Sequence, residues 1–182
     1  MFKKDIWEII PNLTINWKPA PYWVINERAV RKNALIIFTL WVMTFFYTII
    51  TRDFFFFNIL VPILFIDFWI KISVWPKYSP FSKLANFLVK DQKKEYVWAK
   101  QKRFAWGIWF VMSFITLTLA IWFWITCWLP MILCLLCLWF MYAEAFFWYC
   151  VGCSIYIYLR KNGYIKIEKH APVCANWKCE LK

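Results

Sequence analysis

The chain has 182 residues, of which 63% are hydrophobic and 24% aromatic, with 15 Trp and 19 Phe. That apolar fraction exceeds the ~45–50% of soluble proteins, and a water-soluble domain of this length has no interior large enough to hide it. The 22 Lys and Arg against 10 Asp and Glu give a net charge of +12. These basic residues fall between apolar runs rather than in a nucleic-acid motif, which sets nucleic acid aside as a partner and favours the lipid bilayer and its anionic headgroups.

In chain order, residues 1–33 read as an interfacial arm, with Trp7, Trp17 and Trp23 set among Pro11, Pro19 and Pro21. The first apolar run begins only after Asn33, too far in and too long for a signal-peptide core. A spanning helix needs about 20 mostly apolar residues, and four runs qualify: 34–50, 54–75, 104–127 and 131–159. Breaks at Arg52 and Asp53 and at Pro130 leave links so short that neighbouring helices must run antiparallel. The expected fold is therefore all-α, a membrane bundle of four transmembrane helices in two hairpins over 34–159. Barrel strands would alternate in polarity, and these runs do not.

Between the second and third runs, 79–90 predicts an amphipathic helix at the interface. Ser79 suits its cap and Pro80 its first position. Phe81, Leu84, Phe87 and Leu88 gather on one face, with Ser82, Lys83, Asn86 and Lys90 on the other. Outside the spans, 20 Lys and Arg fall on one side of the bundle and Arg52 alone on the other. By the positive-inside rule both termini are expected in the cytoplasm, with residues 160–182 as a cytoplasmic tail.

Ionisable groups inside the runs are costly and each needs a reason. Asp67 and Lys71 stand at i, i+4 with the acid first, the better order for an ion pair. Lys71, ~6 Å from the Trp75 end at 1.5 Å per residue, is placed to snorkel. Glu144, ~21 Å from Tyr158 by the same count, must find a partner or a proton. Either packing or chemistry accounts for these three residues.

Of seven cysteines, six form close pairs: Cys134/Cys137, Cys150/Cys153 and Cys174/Cys179. Cys127, Cys134 and Cys137 suit helix packing. Cys150-Val-Gly-Cys153 is a C-x-x-C at the end of the fourth run, a spacing compatible with disulfide, persulfide or metal chemistry. On one continuous helix both sulfurs share a face, Glu144 points nearly opposite, and a nearby Lys71 favours the thiolate. The tail adds Cys174 and Cys179, an exchange pair for the first two, and His170. With the four thiols, His170 offers donors for zinc or copper(I).

Four stretches carry a resemblance: Val24-Ile-Asn-Glu-Arg-Ala-Val-Arg-Lys-Asn-Ala34; Asp67-Phe-Trp-Ile-Lys71 followed by Pro76-Lys-Tyr-Ser-Pro80; Lys102-Arg-Phe-Ala105; and Glu144-Ala-Phe-Phe-Trp-Tyr-Cys150-Val-Gly-Cys153. From about residue 24 to 158 the chain resembles a bacterial membrane family catalogued as domain of unknown function 4395. The resemblance implies a compact multi-pass protein of the bacterial plasma membrane and no established reaction. It also implies company with thioredoxin-like or rhodanese-like sulfurtransferase proteins, which favours thiol or sulfur handling. Lys71 stands where the resemblance leads one to expect arginine, which weakens a bidentate anion-holding role. Three readings stay open: a thiol-disulfide or sulfane-sulfur carrier, a non-catalytic subunit of a larger membrane complex, and a copper(I) or zinc site.

Overall fold

The computed structural model describes residues 14–15, 18–19, 24–93, 95–121, 128–165, 173–175 and 178–180. Most of the expected interfacial arm, including its three tryptophans, lies outside the described residues. Two short strands, β1 (Thr14–Ile15) and β2 (Lys18–Pro19), pair antiparallel there. Strand β3 (Val24–Asn26) leads into α1 (Glu27–Thr51). The Asn26 side chain caps α1 by accepting the Arg28 N–H at 3.2 Å, which is why the helix starts ahead of its apolar run. At the far end Arg52 adopts a left-handed conformation (φ 55°), and its N–H closes the helix on the Thr48 carbonyl at 2.9 Å.

Helix α2 (Phe55–Ser73) follows at once and tolerates Pro62 in its interior. A 3₁₀ turn at Pro76–Tyr78 turns the chain into α3 (Pro80–Leu88), which has the expected Ser79 cap and Pro80 start. Leu84, Phe87 and Leu88 are exposed, whereas Ser82, Ala85 and Val89 are buried against the protein. The apolar face of α3 therefore points away from the core, an orientation that water disfavours and a lipid boundary rewards. Strand β4 (Tyr96–Trp98) pairs antiparallel with β3 and delivers the chain into α4 (Ala99–Ile121). Helix α5 (Trp128–Phe146) and helix α6 (Val151–Lys161) complete the helical part. Strands β5 (Val173–Ala175) and β6 (Lys178–Glu180) form a hairpin in the tail.

Helix α1 packs on α2 and α5, α4 packs on α2 and α5, and α6 lies against α4. The shared core includes Ile37 and Trp41 of α1, Leu64 and Phe68 of α2, Trp106 of α4 and Met141 of α5. Large apolar side chains also cover the outside, among them Phe46, Ile50, Phe55, Ile66, Phe114 and Trp139. Helices apolar on every side are those buried in a larger protein core or compatible with a membrane. Helices α1 and α2 are each long and apolar enough to cross a membrane, and α5 with α6 makes a third if that bent pair counts as one span.

The bend corrects one expectation. The run 131–159 is not a continuous helix: it breaks after Phe146, and α6 leaves at 90° to the preceding helix. At the break the Phe147 and Tyr149 N–H groups both donate to the Ala143 carbonyl at 3.1 Å, and Trp148 adopts φ 59°. A left-handed conformation in a bulky residue costs about 1–3 kcal/mol.

Candidate functional site

Cys150 is not inside a helix. Its backbone is extended (φ −86°, ψ 101°) and it caps α6, its Sγ accepting the Cys153 N–H at 3.3 Å. Its carbonyl accepts the Ser154 N–H at 3.0 Å and the Ser154 hydroxyl at 3.2 Å. Cys150 and Cys153 are joined as a disulfide, with Cα atoms 5.1 Å apart. Both are buried, at 2% and 0% exposure, in a cluster with Ala105. Gln101 of α4 donates its side-chain amide to the Cys153 carbonyl at 3.3 Å. On the next turn of α6, Tyr156 packs between Trp98 and Phe104, with ring centroids 5.7 and 5.3 Å away. The first turn of α6, sulfurs included, is thus held against α4.

Glu144, expected to point away from this pair, lines a cavity of about 30 Å³ together with Ala105, Val151 and Gly152. That is room for about one water molecule. The angular argument assumed a straight helix, and the bend between α5 and α6 removes it. The partner that Glu144 requires is Lys102, whose Nζ lies 3.2 Å from Glu144 Oε1 and 3.0 Å from Glu27 Oε1. This clasp ties α1, α4 and α5 through one buried ammonium between two buried carboxylates. Arg31 approaches the same Glu27 oxygen at 3.6 Å, and Glu27 Oε2 has no hydrogen-bond partner among the described residues.

Lys102 was missed as a site residue because it stands at the edge of an apolar run and reads there as a topology determinant, and Glu27 because it falls in the segment 1–33 expected to be an interfacial arm. The available signal was that Lys102 opens the motif Lys102-Arg-Phe-Ala105, a position that marks it off from the loop lysines.

Asp67 and Lys71 do pair, at 2.5 Å. Lys71 does not snorkel, however. It is fully buried and turns inward, its Nζ donating to Asn33 Oδ1 of α1 at 3.2 Å and lying 5.1 Å from the Phe68 ring centroid. Asp67 Oδ1 accepts the Ser79 hydroxyl at 2.5 Å, and Ser79 Oγ in turn accepts the Ser82 N–H at 3.1 Å. The pair therefore fastens α2 to α1 and to the start of α3, while the contacts around Cys150 and Cys153 come from α4. The structure does not bring Asp67 and Lys71 to the disulfide.

Cys174 and Cys179 stand directly opposite each other in the β5–β6 hairpin, and β6 lies beside β4, the strand whose Trp98 touches Tyr156 of α6. His170 lies outside the described residues. Among the described residues no group of three or more His, Cys, Asp or Glu side chains is gathered as for a metal ion. Cys134 and Cys137 are free thiols buried in α5.

These features extend over a segment that a family model also spans. Residues 25–161 match the model described as domain of unknown function (DUF4395), and the chain belongs to that family. No curated protein and no solved structure matches the chain.

Proposed function

We propose that this chain is a four-span protein of a bacterial plasma membrane, with both ends in the cytoplasm, that exchanges its Cys150–Cys153 disulfide with partner thiols. Membrane residence is supported by the apolar outer surfaces of the helices and by the outward apolar face of α3. Orientation is supported by the collection of basic residues at the end of the bundle where α1 and α4 begin. On this reading α6, bent by 90° from α5, would lie along the headgroup layer with the disulfide at its start.

The observation that carries the chemistry is the disulfide at a helix N-terminus, with the Cys153 N–H directed at Cys150 Sγ. The free N–H groups of a first turn stabilise negative charge, which is what a departing thiolate needs. The cytosol keeps idle thiols reduced, so on this reading the bond is opened by a partner dithiol and re-formed by exchange with the disulfide of a second, oxidised partner. In that cycle a partner thiolate attacks one sulfur, the S–S bond breaks, and the other sulfur leaves as thiolate. The partner's second thiolate then resolves the mixed disulfide. Two electrons pass from the partner dithiol, which becomes the disulfide, to Cys150 and Cys153, which take up two protons as thiols. A thioredoxin-like protein supplies this chemistry, and the β5–β6 hairpin beside β4, with Cys174 opposite Cys179 in register, carries the residues of a second exchange pair.

The test is thiol trapping with a mass-tagged maleimide on detergent-purified protein, before and after incubation with reduced thioredoxin. The parent is expected to gain two tags, and the Cys150→Ser, Cys153→Ser double variant none. A bond that reduced thioredoxin leaves intact in the folded protein sinks the reading. The burial of both sulfurs favours one rival, a non-catalytic subunit in which the disulfide only fastens α6. A stoichiometric membrane partner retained equally by the double variant would select it.

A further inference from the structure

We propose that the cavity at the start of α1 is a binding site for the phosphate of an anionic phospholipid headgroup. The cavity holds about 280 Å³, and its lining combines Arg28, Arg31, Lys32, Gln92 and Glu95 with Leu35, Ala145 and Trp148. That volume lies just under the ~300 Å³ at which small-ligand sites begin.

Charge is the first argument. Arg28, Arg31 and Lys32 occupy the first two turns of α1, the positive end of its dipole. Basic side chains in that position oppose the helix dipole and call for an anion. Glu95 meets part of the need, with Arg28 Nη2 at 2.6 Å and Arg31 Nη2 at 3.4 Å. Glu27 meets a further part, since its Oε1 lies 3.6 Å from Arg31 Nε, but that oxygen is shared with Lys102 at 3.0 Å. Three cations therefore line the cavity with one carboxylate, and an open volume remains between them.

Polarity of the walls is the second argument, and it selects the source of the phosphate. Leu35 follows the cationic residues along α1 towards the span, and Ala145 stands opposite it near the end of α5. A free phosphate gains nothing from those walls, whereas an amphiphile lays its glycerol and upper chain along them. Trp148 stands at the mouth in its left-handed conformation, with the Arg31 guanidinium 4.5 Å from its ring centroid. An indole at the headgroup level beside a cation is how membrane proteins commonly edge their lipid contacts. Arg28 already gives Nε and Nη2 to Glu95, at 3.0 and 2.6 Å, so phosphate would be met by the remaining guanidinium N–H groups of Arg28 and Arg31 together with the Lys32 ammonium.

The inference rests on the membrane reading and is independent of the thiol exchange, so either can fail alone. The test compares phosphatidylglycerol, phosphatidylcholine and inorganic phosphate, each added to protein in neutral detergent, by native mass spectrometry and thermal unfolding. Phosphatidylglycerol is expected to be retained and to raise the melting temperature, while the other two do neither. Lys32→Gln, which leaves the ion pairs of Arg28 and Arg31 in place, is expected to weaken retention about tenfold, as does loss of one charge-assisted contact. Arg31→Gln should weaken it at least as much, and Lys83→Gln, on the exposed face of α3, should leave it unchanged. Equal retention of phosphatidylcholine, equal stabilisation by inorganic phosphate, or parental retention by Lys32→Gln would each overturn the assignment.

Discussion

Gly152 of α6 and Ala105 of α4 meet so closely that a β-carbon on the glycine would stand 2.7 Å from both the Cα and the Cβ of the alanine. No side chain fits there, and the obstruction is backbone. Gly152→Ala is therefore expected to push α6 away from α4 and to destabilise the protein by about 1–3 kcal/mol. Because the shift falls between the two cysteines, the variant should also expose the disulfide and quicken its reduction. Unfolding in mixed detergent gives the first effect, and the rate of maleimide capture under reducing conditions gives the second. A variant as stable as the parent would show that this helix contact is loose.

Lys102 is a harder test of the packing, since it alone stands between Glu27 and Glu144. Lys102→Met leaves two buried carboxylates facing each other and is expected to cost about 3–5 kcal/mol. Glu144→Gln keeps a hydrogen-bond acceptor for the ammonium and should cost less than half as much. Adding Glu27→Gln and Glu144→Gln to Lys102→Met removes every charge of the clasp and should recover most of the loss. Unfolding midpoints of the four proteins check the order.

For Asp67 and Lys71, the expected behaviour is coupling. Lys71→Met strands a buried carboxylate and should destabilise by about 3–5 kcal/mol. The double variant with Asp67→Asn should be milder than that single one. Ser79→Ala loses both the hydrogen bond to Asp67 and the cap of α3, for about 1–2 kcal/mol. Limited proteolysis should then cut first near α3.

Cys134 and Cys137, buried in α5, are expected to stay untouched by a polar maleimide until the protein is denatured. Peptide mass spectrometry with and without denaturant reads this directly. Rapid labelling of either in the folded state would mean that α5 opens to water.

Much of the helical plan was open to reading because hydropathy reports burial in lipid residue by residue. The runs at 34–50 and 54–75 fall within or around α1 and α2, and Ser79 and Pro80 announced α3. The bend between Phe146 and Val151 was hidden because those residues are apolar and aromatic on both sides of it. Gly152 follows the turn as the second residue of α6 rather than making it, and Trp148 takes up the left-handed conformation that glycine would have signalled. Of the site, the Cys150/Cys153 spacing and the Asp67/Lys71 pair are local and could be seen. The Lys102 clasp joins residues 75 and 42 positions apart, and no local pattern carries such a distance. The inward turn of Lys71 depends on Asn33, also far away in the chain, and for that reason looked like snorkelling.

The clasp also sets an order of assembly during synthesis. Helices α1 and α2 have their own fastening in Asn33, Asp67 and Lys71, so this first pair can lock as soon as both helices have been made. Glu27 must wait at its base until α4 delivers Lys102, and the ammonium must wait for Glu144 near the end of α5. A ribosome stalled before residue 144 would leave a nascent chain with its first two helices fastened and the Lys102 clasp one carboxylate short.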